Sequence, residues 1–323
     1  AAQLLILSDE DEVIIPSHTY TSSAYPFVKK GAKIVWADID FESRVVNAKT
    51  IESKITNKTR AVVVVHLYGY IADMPEIRQL CTDNDLILIE DCAQSLGTSL
   101  GGKRAGTYGD MSIFSHHSQK NISTLGEGGV LVVKNPKFAE IVPMLRHNGH
   151  LGYQDQEYYW KPAMSNVDYP KINGNYIEPN NYCLGEPQCA VGSMIIDRVD
   201  SVNSLKRSRA IQFIDDLAKF QQLIFHRVDN ERHNYQHLVA FVQNDKRDQF
   251  IKKMFLDKGI QCVVQYYPLH RYPYYIKHDL GEADCPNTEL FFDSMVSFPF
   301  YETMKDYEIE YMLESTISTL KSI

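Results

Sequence analysis

The sequence predicts an α/β fold, a mostly parallel sheet between helix layers followed by a smaller C-terminal α+β domain. Three observations carry that prediction. Short apolar runs rich in β-branched residues alternate with helix-type stretches through the first two-thirds of the chain. Within those runs the apolar residues are continuous rather than alternating, as in strands buried on both faces of a parallel sheet. The length, 323 residues, exceeds what one small core needs and leaves room for a second domain.

Taken in order, "DEVIIP" (11–16) reads as a strand, "SSAYPFVKKG" (22–31) as a helix and "AKIVWADID" (32–40) as the next strand. "RAVVVVHLYG" (60–69) and "DLILIED" (85–91) are buried strands, with a helix from about Met74 to Asp83 between them. "DMSIFS" (110–115) and "GGVLVV" (128–133) add two more. From Leu184 to Phe220 the pattern is helical without obvious breakers, as in a helix bridging two domains. The last hundred residues mix strands ("NYQHLVAFV", "IQCVVQYYPL") with amphipathic helices ("RDQFIKKMFLDKG", "YEIEYMLESTISTLKSI"). The large domain is therefore assigned to residues 1–205 and the small one to 206–323. Between Tyr153 and Tyr182 lies an aromatic-loaded stretch too rich in Pro, Asn and Gly for regular structure, read as a substrate lid or a packed surface excursion.

Composition excludes several classes. Lys and Arg total 33 against 41 Asp and Glu, a net charge of −8 without a basic run, which argues against nucleic acid as a partner. The longest mostly apolar stretch, "AVVVVHLYGYIA", is too short to span a bilayer. Six scattered cysteines with no C-x-x-C pair are neither a disulfide framework nor a zinc pattern, and fit a reducing cytoplasm. His233 and His237 have helix-like spacing but sit in a strand-type run with no third ligand, so no metal is expected. The chain opens on "AAQLLIL", without Met, which reads as the tail of an apolar helix; residues are expected to precede Ala1.

Chemistry in an open parallel sheet gathers at the carboxyl ends of its strands. "DLILIEDCAQSLG" ends a strand at Glu90-Asp91, and alternation sends the two acids to opposite faces. "FS" at 114–115 ends another strand, and Lys120 follows five residues later in "SQKNISTLGEGG". An acid, a hydroxyl and a lysine thus converge on one edge. Pyridoxal phosphate needs that trio: a lysine for its aldehyde, a carboxylate for its pyridine nitrogen and hydroxyls for its phosphate. Gly126, Gly128 and Gly129 serve as close-approach positions in the turn after the lysine. Taken singly, a loop lysine is a solvated charge, an acid at a strand end is a helix cap, and "GEGG" is a turn.

The ordered motifs "VHLYG…D", "IEDCAQ", "GTYGD", "FSHHSQKN" and "GEGG" resemble the DegT/StrS family of PLP-dependent sugar aminotransferases. The resemblance runs from "DEVIIPSHTYTSSAYPF" to "GIQCVVQYYPLH" and "SFPF", nearly the whole chain. It implies a fold-type I PLP-dependent transferase with pyridoxal 5′-phosphate as cofactor. Lys120 matches the Schiff-base lysine, Asp91 the partner of the pyridine nitrogen, Gln94 the glutamine near the ring's phenolic oxygen and Ser115 the phosphate-binding serine. Tyr20 falls where an aromatic stacks on the cofactor ring. "NNYCLGEPQCA" matches the segment whose asparagine, here Asn181, reaches the phosphate of the neighbouring subunit, which implies a homodimer with shared active sites. Cys183 and Leu184 stand where the family has Arg and Met, and its glycine-threonine phosphate motif is expected ahead of Ala1.

The implied reaction is transfer of an amino group from an amino acid, glutamate, to a nucleotide-linked keto-sugar. A dehydratase branch of the family carries histidine in place of the lysine, so Lys120 favours transamination. A non-catalytic regulatory protein on the same fold is the rival from another class; it is expected to lack Lys120 or Asp91. His117, beside the lysine, is a candidate substrate or cofactor contact, while His66 and His270 receive no role.

Overall fold

The protein is described by a computed structural model covering residues 1–150 and 168–323. Its main sheet has six strands in the order β2-β1-β3-β4-β7-β8. They are β1 (Glu12–Pro16), β2 (Lys33–Ala37), β3 (Thr59–Val65), β4 (Ile87–Asp91), β7 (Met111–Ser115) and β8 (Gly129–Val133). Between β4 and β7 comes a two-residue hairpin, β5 (Ser99–Leu100) with β6 (Lys103–Arg104). The pairs from β2 to β7 are parallel and the edge strand β8 runs antiparallel to β7. Val13, Ile14, Ile15, Val62, Val64, Leu88 and Ile89 are completely buried, the reason these strands carry no polar alternation.

Helices α1 (Tyr25–Val28), α2 (Ala48–Glu52), α3 (Met74–Asp83) and α4 (Pro136–Arg146) connect or flank the strands. The α3 helix spans the predicted residues, buries Met74, Ile77 and Cys81 along one face, and ends before Asp85, which is left-handed at φ 52°. A hairpin, β9 (Lys171–Ile172) with β10 (Asn175–Tyr176), follows. Helices α5 (Glu186–Ile195) and α6 (Val199–Leu217) lead to a three-stranded antiparallel sheet. Its strands are β11 (Leu223–Phe225), β12 (Leu238–Val242) and β13 (Met295–Phe298). Helices α7 (Arg247–Leu256) and α10 (Asp306–Leu320) cover it, forming a second core around Phe213, Leu238, Phe250, Met254, Phe298 and Met312. Short helices α8 (Pro273–Lys277) and α9 (Pro286–Ser294) instead pack Tyr275 and Phe291 back against the first core.

Several expectations needed correction. The helix expected over 22–31 shrinks to a 3₁₀ turn, Thr21–Ser23, and the four residues of α1. The helical run from Leu184 is broken into α5 and α6 by a 3₁₀ turn at Ile196–Arg198. "IQCVVQYYPL" forms no strand, only an isolated bridge from Val263 to Ser297, because Gln265 and Tyr266 turn towards the first domain's loops. The opening "AAQLLIL" holds a 3₁₀ turn, Ala2–Leu5. The aromatic stretch from Tyr153 lies outside the described residues as far as residue 167. Its remainder is more regular than its composition predicts, since Asn173 and Gly174 (φ 50° and 82°) close the β9–β10 hairpin.

One buried carboxylate ties the working edge together. Glu90 is 0% exposed. It accepts hydrogen bonds from His66 Nε2 at 3.0 Å and from the backbone N–H groups of Gly106 (2.9 Å), Tyr108 (2.7 Å) and Gly109 (2.5 Å). His66 Nδ1 accepts from Ala72 N–H at 3.3 Å, which places the ring's proton on Nε2, facing Glu90. Burial alone would raise the Glu90 pKa, but the His66 and backbone hydrogen bonds hold it below the usual carboxylate value. Gly106 is required here: at φ 89°, a Cβ would lie 2.3 Å from Phe114 Cζ.

Glu90→Gln is expected to cost about 2–4 kcal/mol, because an amide NH₂ would face backbone donors in a dry site. Urea unfolding followed by circular dichroism measures it. The carboxylate's contribution is full above the unfolded glutamate pKa of ~4.3 and is lost as pH falls through the lower folded value.

Candidate active site

Four neighbouring strands end on one edge, and each is followed by polar residues. After β1 come Ser17, His18 and Tyr20; after β3, His66 and Tyr68; β4 ends at Asp91 with Gln94 behind it; β7 ends at Ser115, with Lys120 in the next turn. This is where an open parallel sheet places ligands.

Asp91 is half-buried and fixed on both oxygens. Ser23 Oγ donates to Oδ2 at 2.7 Å and the Ala93 N–H to Oδ1 at 3.0 Å. Lys120 is also half-buried, and its N–H bonds to His117 O at 2.9 Å. Burial lowers the Lys120 pKa from the ordinary lysine value, while the nearby Asp91 carboxylate pulls it back up. Acid and amine therefore act on each other across the strand ends.

Gln94 is nearly buried. Its Oε1 accepts from Tyr68 N–H at 2.6 Å, and its Nε2 donates to Tyr266 Oη at 3.0 Å, leaving one amide proton uncommitted. Burial pushes the Tyr266 phenol up to about 12, against the Gln94 hydrogen bond. Tyr20, 57% exposed, meets Tyr266 edge-on with ring centroids 5.8 Å apart. Behind them His18 Nε2 pairs with Tyr68 Oη at 2.6 Å, and burial holds its pKa down at about 3, so the ring is neutral. Ser115 Oγ accepts from the His117 N–H at 3.3 Å, which leaves its own proton available.

The lysine loop closes on itself. Gly128 is required by Thr124, whose Oγ1 would lie 2.1 Å from an added Cβ. The loop glycines thus have a structural role in the turn. His117 accepts from Gln119 N–H at Nδ1 and lies 3.6 Å from Glu127 through Nε2, so its contacts are within the loop. Asn181 stands apart from this group, exposed, in an isolated antiparallel bridge with His147. His233 stacks on Tyr235 at 4.0 Å and accepts its N–H. Among the described residues one ligand-type cluster occurs, His66 with Glu90 and Cys92. There His66 and Glu90 are already bonded to each other and to backbone N–H groups.

Sequence reasoning missed Ser23 and Tyr266. Ser23 was legible only as one of several hydroxyls in "TYTSS"; a serine three residues after an aromatic carries no signal of its own. Tyr266 lies in a segment read as a strand.

Residues 1–316 match the DegT/DnrJ/EryC1/StrS aminotransferase family. The chain belongs to that family. It is 30% identical over 314 residues to GDP-perosamine synthase of Escherichia coli O157:H7, covering 96% of this chain and 79% of that one. It is likewise 30% identical over 291 residues to dTDP-3-amino-3,4,6-trideoxy-alpha-D-glucose transaminase of Streptomyces venezuelae, covering 90% and 71%. In fold it matches the aminotransferase from Psychrobacter cryohalolentis with a TM-score of 0.87 at 23% identity, over 99% of this chain and 83% of that one. The predicted fold class, an α/β PLP-transferase fold with a mostly parallel sheet, stands, and aminotransferase chemistry comes with the family.

Asp91→Asn is expected to fold normally, since the amide oxygen still accepts from Ser23 or Ala93. Turnover should fall by orders of magnitude with the loss of roughly 3–5 kcal/mol of charge stabilisation. Steady-state kinetics on a folded, cofactor-saturated variant measures this, and near-normal turnover would mean that another acid does the work.

Proposed function

We propose that this protein transfers an amino group from an amino acid, glutamate, to a keto-sugar carried on a nucleotide, using pyridoxal 5′-phosphate. The observation that carries the reading is the pairing of Lys120 with Asp91 at one sheet edge, where burial and charge act on the amine in opposite directions. The nucleotide-linked sugar is favoured by the names of the two relatives, which carry GDP and dTDP.

The donor set fits the cofactor. Asp91, already oriented by Ser23, would face the pyridine nitrogen, and Lys120 would hold the aldehyde carbon. Ser115, with its proton free, would bind the phosphate. The uncommitted Gln94 proton would reach the phenolic oxygen, and Tyr20 would cover the ring. When bound, the cofactor supplies an electron-withdrawing ring that makes amine and proton exchange between amino and keto compounds possible. The chain's own part is proton handling and orientation. A lysine with a lowered pKa spends more time neutral, so Lys120 Nζ can take a proton and return it. Hydrogen bonds to both oxygens hold the Asp91 carboxylate in one orientation. Lys120 also separates this reading from the dehydratase branch, in which a histidine stands at that place.

The active unit is proposed to be a homodimer with shared sites. Helix α5 buries none of its residues although Ala190, Val191 and Met194 lie on it, and Met194 is 77% exposed. Val130 and Val132 on β8 are also exposed. An apolar helix left uncovered is what a second copy would cover, and Gly192 of α5 sits against Thr124 of the lysine loop. Asn181, exposed just ahead of α5, would complete the neighbour's phosphate site. The division into domains at 205/206 is supported by a second core whose first member is Ala210. A cytoplasmic setting suits six free cysteines; no described helix is long and apolar enough to cross a membrane.

With nitrogen-labelled glutamate and a panel of nucleotide-linked keto-sugars, the sugar product is expected to carry the label, with one 2-oxoglutarate formed per sugar aminated. Mass spectrometry reads both. An unlabelled deoxysugar would overturn the reading in favour of dehydration.

Mixed subunits test the shared site. Lys120→Ala and Asn181→Ala chains, each inactive alone, are expected to regain activity on mixing, because one site of each heterodimer receives neither lesion. No recovery after verified subunit exchange would mean that each chain builds its site alone.

A further inference from the structure

Lys206 lies in the buried stripe of α6, between Val202 and Ala210, at 2% exposure. An aliphatic side chain is the ordinary occupant of such a position. The hydrogen-bond partners of its ammonium are neutral oxygens: Nζ donates to Asn121 Oδ1 at 2.8 Å and to Gln236 O at 3.3 Å. Burial lowers its pKa to about 7, with Glu302 opposing. A buried ammonium on neutral partners is unfavourable, and an apolar replacement of equal volume would pack without that penalty. The contacts that offset that penalty show what it holds.

What it holds is the backbone on both sides of Lys120. The Asn121 N–H donates to Gln236 Oε1 at 3.0 Å, and Gln236 Nε2 donates to Gln119 O at 2.7 Å. One amide thus spans the residue before Lys120 and the residue after it. Asn121 Nδ2 continues to Asn203 Oδ1 at 3.3 Å, and Asn203 Nδ2 donates to Leu96 O at 2.8 Å. On the other side, Asn234 Oδ1 accepts the Gln236 N–H at 2.9 Å while its Nδ2 donates to Gln94 O at 3.0 Å. The chain of bonds runs without a gap from the loop after Asp91 to the loop carrying Lys120. Lys206 stands where its two arms meet. Without its protons, Asn121 Oδ1 and Gln236 O would lose their shared donor inside the protein.

We propose that Lys206 is a positioning residue for the amine-transfer site: acting through Asn121 and Gln236, it fixes the Lys120 backbone against the loop that follows Asp91. Its catalytic consequence rests on the aminotransferase reading above; its effect on the backbone does not.

The test uses the full chain with Lys206→Met, which keeps the volume and removes the donor. In cofactor-free protein, amide hydrogen exchange at residues 119–121 is expected to rise by about tenfold, the effect of one lost hydrogen bond, with β3 and β4 unchanged. Asn121→Ala should do the same, and the double variant should exchange no faster than Asn121→Ala alone, since both act through one contact. With cofactor and substrates, kcat should fall by about tenfold while the sugar KM stays level, the mark of lost orientation. Lys206→Gln, which retains an N–H donor, should recover part of both losses.

Unchanged exchange at residues 119–121 in Lys206→Met, or additive effects in the double variant, overturns the proposal. If Lys206→Met does not fold, Asn121→Ala with Lys206 intact decides: unchanged exchange at Gln119 and Lys120 overturns it, and faster exchange there supports it. Wild-type protein that transfers no amine defeats the aminotransferase reading and leaves the exchange comparison standing.

Discussion

The working edge depends on a carboxylate that faces away from it. Glu90 and Asp91 are adjacent on β4, so a strand that sends one inward sends the other out. Glu90 is gripped by His66 at the end of β3 and by three backbone N–H groups in the turn that leads into β7. That single group therefore ties the ends of β3 and β4 to the start of β7 and, by alternation, sets the direction in which Asp91 emerges. A register slip of one residue would bury Asp91 among backbone donors and expose Glu90. The slip is blocked because His66 and the 106–109 turn present a preformed cage for one acid.

Much of the frame was legible because its signals are local. Strands buried on both faces must be apolar throughout, and β3 and β4 state this in four or five consecutive residues. The placing of Lys120, Asp91 and Ser115 at one edge was legible because each ends or follows such a strand, and position along a parallel sheet places a residue at one edge. What escaped is what depends on contacts across the chain. Ser23 aligns Asp91 from a stretch 68 residues earlier. Tyr266 reaches Gln94 from 172 residues away. No spacing rule connects such pairs. The segment holding Tyr266 reads as a strand because its composition is β-like, yet its side chains and backbone are spent on the site loops.

The site combines two tactics for keeping polar groups in order. His18, His66 and His233 are buried and close their bonds to neighbours on at least one ring nitrogen, so they hold the shape of the frame. Asp91, Ser115 and Lys120 are left half-exposed with capacity to spare. This division argues against reading function from histidine counts: the buried rings close their bonds within the frame, and the groups proposed to react are the more exposed ones.

The same contrast extends to the surface. Around Glu90 every acceptor is matched, and around Lys120 the backbone is held from both flanks by Gln236. Rigidity of this kind is useful where an amine must meet a carbon at a fixed distance and angle. Immediately beyond it, α5 leaves its apolar residues uncovered while resting on Thr124 of the lysine loop. A loop fixed on one face, with a bare helix on its other face, is the surface that the proposed dimer would cover. In that proposal a second copy would present Asn181 without any new element, because the residue and the bare helix lie on the same exposed stretch of sequence.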